Sequence, residues 1–165
     1  MTILEHISQM KLGADGEALV GCTDAGTVER GCGYVERVKE IASAYNLLAG
    51  VVDGTTRYYT NVRIEVNGFL DAICSCPVGK RCKHSVALIL KARQMMLDRE
   101  QIQSTIPSEW TSRPEERIRE IERKIEEGWR QQKLEEERRV AQQVHEEECE
   151  REREDAFWRD FSAVR

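Results

Sequence analysis

Eleven residues constrain this chain more than any other stretch: Cys74-Ser-Cys76-Pro-Val-Gly-Lys-Arg-Cys82-Lys-His84. Three thiols and one imidazole fall here as two pairs, with five residues between the pairs. Zinc favours tetrahedral sulfur and imidazole ligation, and four protein ligands leave no open position for a catalytic water. The spacing therefore predicts a closed, structural zinc site at Cys74, Cys76, Cys82 and His84. Cys74 and Cys76 fall on a predicted strand, where residues two apart point to the same side. Cys82 and His84 fall where the chain enters a predicted helix, whose amino terminus favours thiolate charge. Lys80, Arg81 and Lys83 offset the negative charge of three thiolates around a divalent ion. Unliganded cysteines or a redox pair are the competing reading, but the pairing, Pro77 and the helix onset agree with ligation. Cys22, Cys32 and Cys149 are expected to be unligated thiols, and His6 and His145 carry no assignment.

The residues around the motif say what would be built on it. Alternating runs at Leu47 to Val52, Tyr58 to Val66 and Phe69 to Cys74 read as strands. Asp53-Gly54 and Asn67-Gly68 join them, and each supplies the positive φ angles of a tight hairpin turn. A two-residue turn at Asn67-Gly68 pairs Asn61 with Cys74. Val35 to Ala42 fits either a further strand or a short helix. Pro77 cannot continue a ladder, and the apolar run Val86 to Leu97 predicts a buried helix from about His84 to Arg99. The expected fold is thus α+β: a small antiparallel β-meander and a helix around one zinc, followed by a long charged helix. Residues 1–27 form an amino-terminal segment, 28–99 the zinc domain and 100–113 a linker with Ser104, Pro107 and Ser108. The helix is expected over 114–165, opening at Pro114.

Charge divides the chain in the same place. From Pro114 onward there are 17 acidic and 12 basic residues, which leaves thirteen of each in the preceding part, so the net charge of -5 sits in the tail. No run of eighteen apolar residues is present, and the amino terminus lacks the pattern of a signal peptide, so a cytoplasmic protein with no membrane contact is expected. Cysteines in such a compartment serve more often as thiols or metal ligands than as disulfides.

The motif also resembles a known family. A strand ending Cys74-x-Cys76-Pro, a gap, then Cys82-Lys-His84 followed by Ala87 and Leu90 is similar to the SWIM zinc finger, and the likeness extends upstream through Arg30-Gly31, Tyr34, Val38 and the Tyr58 strand. It covers about Val28 to Leu97. The resemblance implies zinc as cofactor, Cys74, Cys76, Cys82 and His84 as its ligands, and a DNA- or protein-binding role. Such fingers occur in Snf-type helicase-like ATPases, Mutator-class transposases, recombination mediators and some ubiquitin ligases. The ATPase or transposase usually found on the same chain is not expected within these 165 residues.

Two regions are candidates for partner contact. Between Ala72 and Leu97 there is no acidic residue, while Lys80, Arg81, Lys83, Lys91 and Arg93 are basic, a composition that suits phosphate contact with DNA or RNA. Arg57, Tyr59, Asn61 and Arg63 share one strand face, and Arg57, Tyr59 and Arg63 extend the candidate nucleic-acid surface. In the tail, Ile118, Ile121, Ile125 and Trp129 form a stripe that should pack on the finger or on another helix. Phe157, Trp158 and Phe161 form a second cluster suited to a groove on a protein partner. No phosphate loop or two-histidine protease helix is present, so neither catalysis nor a small-molecule substrate is expected. The leading expectation is a non-enzymatic accessory protein that binds nucleic acid, a partner protein or both within a larger DNA-processing complex. The alternative is a purely protein-binding adaptor or inhibitor, for example of mobile-element origin.

Overall fold

The computed structural model describes residues 2–10, 19, 23–65 and 70–163, with side chains described as far as residue 154. The chain divides into two compact units, the first closing at Ile121 and the second beginning at Glu122. In the first unit α1 (Ile3–Gln9) and α2 (Ala25–Cys32) precede a 3-10 turn at Val35–Arg37. Four strands follow, β1 (Val38–Ala44), β2 (Leu47–Asp53), β3 (Arg57–Ile64) and β4 (Leu70–Cys74), and then α3 (Lys83–Leu97). The last helix, α4 (Ser108–Ala163), opens in the first unit and belongs to the second from Glu122.

Local chemistry sets the short helices. Thr2 caps α1 by accepting from the Glu5 amide while the Glu5 carboxylate accepts from the Thr2 amide, which pairs two donors that a helix start leaves bare. Asp24 caps α2 in the same manner, accepting from the Thr27 amide at 2.8 Å. The strands pair in chain order as an antiparallel meander. Val35 to Ala42, ambiguous in sequence, resolves into the 3-10 turn and the start of an edge strand, so the meander has four strands rather than three.

The register of the last hairpin corrects the sequence expectation. Cys74 pairs with Thr60 and Asn61 with Ile73, one residue away from the expected pairing of Asn61 with Cys74. Residues 66–69, which include the expected Asn67-Gly68 turn, lie outside the described residues. On either side of them, however, Ile64 pairs with Leu70, a spacing that a two-residue turn between Val66 and Phe69 would not give. A shift of one residue carries every side chain to the other face of the sheet. Thr60 and Val62 therefore join Cys74 and Ala72 on the face that α3 covers, and Tyr59, Asn61 and Arg63 look the other way.

Both faces are packed. On one, Leu48, Val52, Val62 and Ala72 meet Val86, Leu88, Ile89 and Ala92 of α3. Ser85 to Ile89 of α3 are buried in an unbroken run because α1 and α2 cover the helix from its far side. On the other, Ala42, Ala49, Val51 and Tyr59 hold Trp110, which is only 5% exposed. This indole explains why α4 opens at Ser108, six residues before the expected start. Its burial stabilises a first turn that lies ahead of Pro114, and the Trp110 amide donates to the Pro107 carbonyl at 3.0 Å. The segment expected as a linker is likewise tied down, since the Ser43 amide donates to the Gln103 carbonyl at 2.8 Å and extends the pairing beyond β1.

Candidate metal centre

Cys74 and Cys76 leave the end of β4 and the turn after it, and Cys82 and His84 stand at the start of α3. Two backbone bonds fold that turn back on β4: the Cys74 amide donates to the Gly79 carbonyl at 2.6 Å, and the Arg81 amide to the Ala72 carbonyl at 3.0 Å. Gly79 makes the reversal possible with φ +81°, and a side chain there would stand 2.5 Å from Ile121 Cδ1. The Ile118 and Ile121 part of the expected stripe thus does pack on the metal-bearing turn, whereas Ile125 and Trp129 are exposed.

All four ligand atoms lie within 4.8 Å of one another, and all four residues are buried, so the cluster could hold a metal ion. His84 Nδ1 is 3.7 Å from Cys74 Sγ and 3.6 Å from Cys82 Sγ. Metal–ligand bonds of about 2.3 Å to sulfur and about 2.0 Å to nitrogen, at a tetrahedral angle, place S and N about 3.6 Å apart. These two imidazole edges therefore already have the dimension that zinc requires, and no other edge of the cluster needs to close by more than about 1 Å. The Cys76 amide points at Cys74 Sγ from 3.5 Å, a contact that favours thiolate.

Electrostatics without an ion describe a cluster that wants one. Burial pushes the Cys74 thiol well above its ordinary pKa, and the neighbouring sulfurs add to the shift. Hydrogen bonds from Cys74 and Cys82 hold Cys76 far below it. Burial opposes a charged His84, but hydrogen bonds to Cys76 and Cys82 and their negative charge outweigh it and raise the imidazole to about 9. His84 Nε2 is buried and has no hydrogen-bond partner among the described residues. With Nδ1 on a metal, Nε2 carries the proton and is a donor in need of an acceptor.

Sequence reasoning missed the surroundings of His84. Tyr58 lies against the imidazole at 4.7 Å between ring centroids, and Tyr34 meets it edge-on at 5.4 Å. Lys83 Nζ donates to the Tyr34 hydroxyl at 2.7 Å, which holds that phenol below its usual pKa. Arg37 stands 4.6 Å from the same ring. α2 reaches this end because Gly31 has no side chain; a Cβ there would collide with Val86 of α3. The signal that would have found Tyr58 is the register: once Thr60 pairs with Cys74, Tyr58 falls on the metal side of β3.

The other candidate residues are dispersed. Tyr59 is buried against Trp110, with Arg113 4.8 Å from its ring, and Arg63 pairs with Glu115 at 3.2 Å, so both serve the attachment of α4 to the sheet. The corrected register turns this face of β3 towards α4, where Tyr59 is buried and Arg63 stays exposed beside Glu115. Arg57 faces Asp53 at 3.9 Å, Lys91 faces Glu36 at 3.9 Å, and Arg93 donates to the Met10 carbonyl at 2.6 Å. Lys80 and Arg81 are exposed on the turn between the two ligand pairs. Phe157, Trp158 and Phe161 fall within α4, but their side chains, like Cys22, lie outside the described residues. Among the described residues no helix is long and apolar enough to cross a membrane. Compared with models of protein families, with curated proteins and with solved structures, the chain finds no match.

Proposed function

We propose that this protein is a zinc-binding recognition module of the SWIM type, which acts without catalysis and brings a nucleic acid to a larger DNA-processing assembly in a reducing compartment. The observation that carries the reading is the buried cluster of Cys74, Cys76, Cys82 and His84 at one end of the sheet. Three thiolates and one imidazole form a soft donor set that suits zinc and disfavours magnesium or calcium. Four ligands close the coordination sphere, so the ion ties β4 to α3 and has no place for a reacting water. Nucleic-acid contact is assigned to Lys80 and Arg81 on the exposed turn, with Lys83 beside them. Lys91 and Arg93 lie farther along α3, with Lys91 beside Glu36 and Arg93 on the Met10 carbonyl.

The test is binding of labelled single- and double-stranded DNA and RNA to the zinc-loaded chain across a range of salt. Lys80→Glu combined with Arg81→Glu should weaken binding about tenfold and lower the salt slope by about 2, with zinc content unchanged. No binding at low salt by the wild type would remove the nucleic-acid half of this reading. A second reading, a protein-binding adaptor, is favoured by one observation. Ile125 and Trp129, and again Val140 and Val144, are exposed at four-residue spacing on α4, the pattern that a partner helix would cover.

A further inference from the structure

Beside the metal centre lies a cavity of about 350 Å³, with Arg30, Lys83, Tyr34, Tyr58, Thr27 and Thr55 in its walls. The two cations come from different helices, Arg30 from α2 and Lys83 from α3. Gly31 brings them to one space, because without a side chain it can lie against the Lys83 carbonyl, which a Cβ there would approach to 3.1 Å. A metal ion in the neighbouring cluster would leave the cavity open, since even one water takes only about 30 Å³. The volume falls in the range of about 300–1,000 Å³ that small-ligand sites span.

The walls offer protons and positive charge. Among the described residues no carboxylate lines the cavity, and Arg30 and Lys83 together outweigh the formal charge of -1 that a zinc ion with three thiolates would carry beside them. Both cations keep donors to spare. Lys83 uses one of its three on the Tyr34 hydroxyl at 2.7 Å, and Arg30 uses one of its five on Thr27 Oγ1 at 2.8 Å, with Asp24 at 4.0 Å. Because the Tyr34 hydroxyl accepts from Lys83, its own proton is left to donate. Thr55 Oγ1 and the Tyr58 hydroxyl are 2.7 Å apart, so one of them donates to the other and one proton of the pair is left over. A lining with two cations and two further donors suits an anion with more than two oxygens. A phosphate monoester has three free oxygens and a charge of about -1.5 to -2 near neutral pH. A carboxylate or a phosphodiester has two free oxygens and a single charge. The diester inside a strand also has chain leaving on both sides, whereas a monoester can enter a recess by its end.

We propose that this cavity binds a phosphate monoester, with the phosphate held by Arg30 and Lys83 and by the Tyr34 hydroxyl between the two helices. The remaining volume, beside Pro77 and Val78, takes the small body that carries the phosphate. The monoester is either a free small molecule or the terminal phosphate of a nucleic-acid strand. In the second case the inference rests on the nucleic-acid reading and deepens it, by giving the strand end a place distinct from the Lys80 and Arg81 turn.

The test is calorimetric titration of the zinc-loaded full chain with ribose 5-phosphate, ribose, acetate and dimethyl phosphate. A short single-stranded oligodeoxynucleotide follows, with a 5′-phosphate, with a 3′-phosphate, and with hydroxyls at both ends. Ribose 5-phosphate should bind about tenfold more tightly than ribose, acetate or dimethyl phosphate. Arg30→Gln should weaken it about tenfold with zinc content unchanged, and Lys39→Gln, away from the cavity, should leave it alone. Arg30 is an exposed side chain, so the variant should fold, and Tyr34→Phe, which removes only the hydroxyl, gives a second reading of the same contact. An oligonucleotide that binds more tightly with a terminal phosphate than without, by a margin that Arg30→Gln removes, identifies the strand end as the source. Ribose 5-phosphate binding with no such margin identifies the free monoester. No binding of ribose 5-phosphate by the wild type, equal affinity for acetate or dimethyl phosphate, or affinity unchanged by both Arg30→Gln and Tyr34→Phe would each overturn the proposal. Oligonucleotide binding that responds to Lys80→Glu with Arg81→Glu, in a chain that ignores ribose 5-phosphate, would overturn it while leaving the proposed function standing.

Discussion

The unit that closes at Ile121 and the helix from Glu122 onward solve the problem of chain entropy by different means. The first buries two faces of a sheet and places four ligand residues at one end of it. Among its described residues the second buries almost nothing: Trp129, Leu134, Val140 and Val144 are exposed, and its order is supported by neighbours one turn apart. Arg123 meets Glu127 at 2.7 Å, Arg139 meets Glu136 at 2.7 Å, and Lys133 meets Glu137 at 3.9 Å. Such pairs contribute about 0.2–0.5 kcal/mol each. One region therefore depends on a few irreplaceable contacts, and the other on many that are individually dispensable. Damage should be concentrated in the first and diluted in the second.

The largest expected effect is loss of the metal. A structural zinc contributes about 10–16 kcal/mol of apparent binding energy, comparable with the whole stability of about 5–15 kcal/mol of a typical domain. Cys74→Ser or His84→Ala should abolish stoichiometric zinc and the cooperative thermal transition, while helical dichroism from the charged helix persists. Full zinc content and an unchanged transition in both variants would remove the ligand assignment. Loss of all helical signal would instead show that the two regions are not separate in stability.

Two tryptophans on one helix sharpen the contrast. Trp110→Ala empties a site against Ala42, Ala49, Val51 and Tyr59 and should cost about 3–5 kcal/mol of unfolding free energy with zinc retained. Trp129 is 69% exposed, and Trp129→Ala should stay within about 0.5 kcal/mol. Equal effects in denaturant titrations would contradict the difference between the units.

Acidity should act on the first unit through the ligands. His84 must be neutral to bind a metal, and without one it keeps its proton until about pH 9. Below that value the ion must expel the proton, which weakens apparent affinity about tenfold for each unit of pH lowered. Cys74, raised by burial, adds to the slope, and Cys76, already ionised, does not. Zinc titrations in competition with a chelator should thus show affinity rising with pH towards 9. A flat profile between pH 6 and about 9 would rule out His84 as a ligand.

The smallest expected effect on stability comes from truncation after Glu154, which removes Phe157, Trp158 and Phe161. Zinc content and the thermal midpoint of the first unit should not change. Capture of the chain's protein partner should fail if those aromatic residues anchor it, since such anchors are commonly worth about 2 kcal/mol or more. A truncated chain that loses stability yet still captures its partner would make the cluster part of the protein's own fold.

The sequence by itself determined whatever depends on neighbours along the chain. The metal motif, the apolar run of α3, the strands β2 and β3 and the charged helix were all legible because spacing and period act over a few residues. Tertiary structure decided what depends on residues far apart. Nothing local indicated that Trp110 would find the outer face of the sheet and start α4 ahead of Pro114, or that Gln103 would pair beside β1. The hairpin register was out by one because a turn is read from two residues, whereas the pairing is fixed by which face of β3 the α3 core and the metal site require. That single step sent Tyr59 and Arg63 to α4 and brought Tyr58 to His84. The cavity beside the metal centre was invisible for the same reason: Arg30, Tyr58 and Lys83 share no sequence period, and only the packing of α2, β3 and α3 sets them around one space.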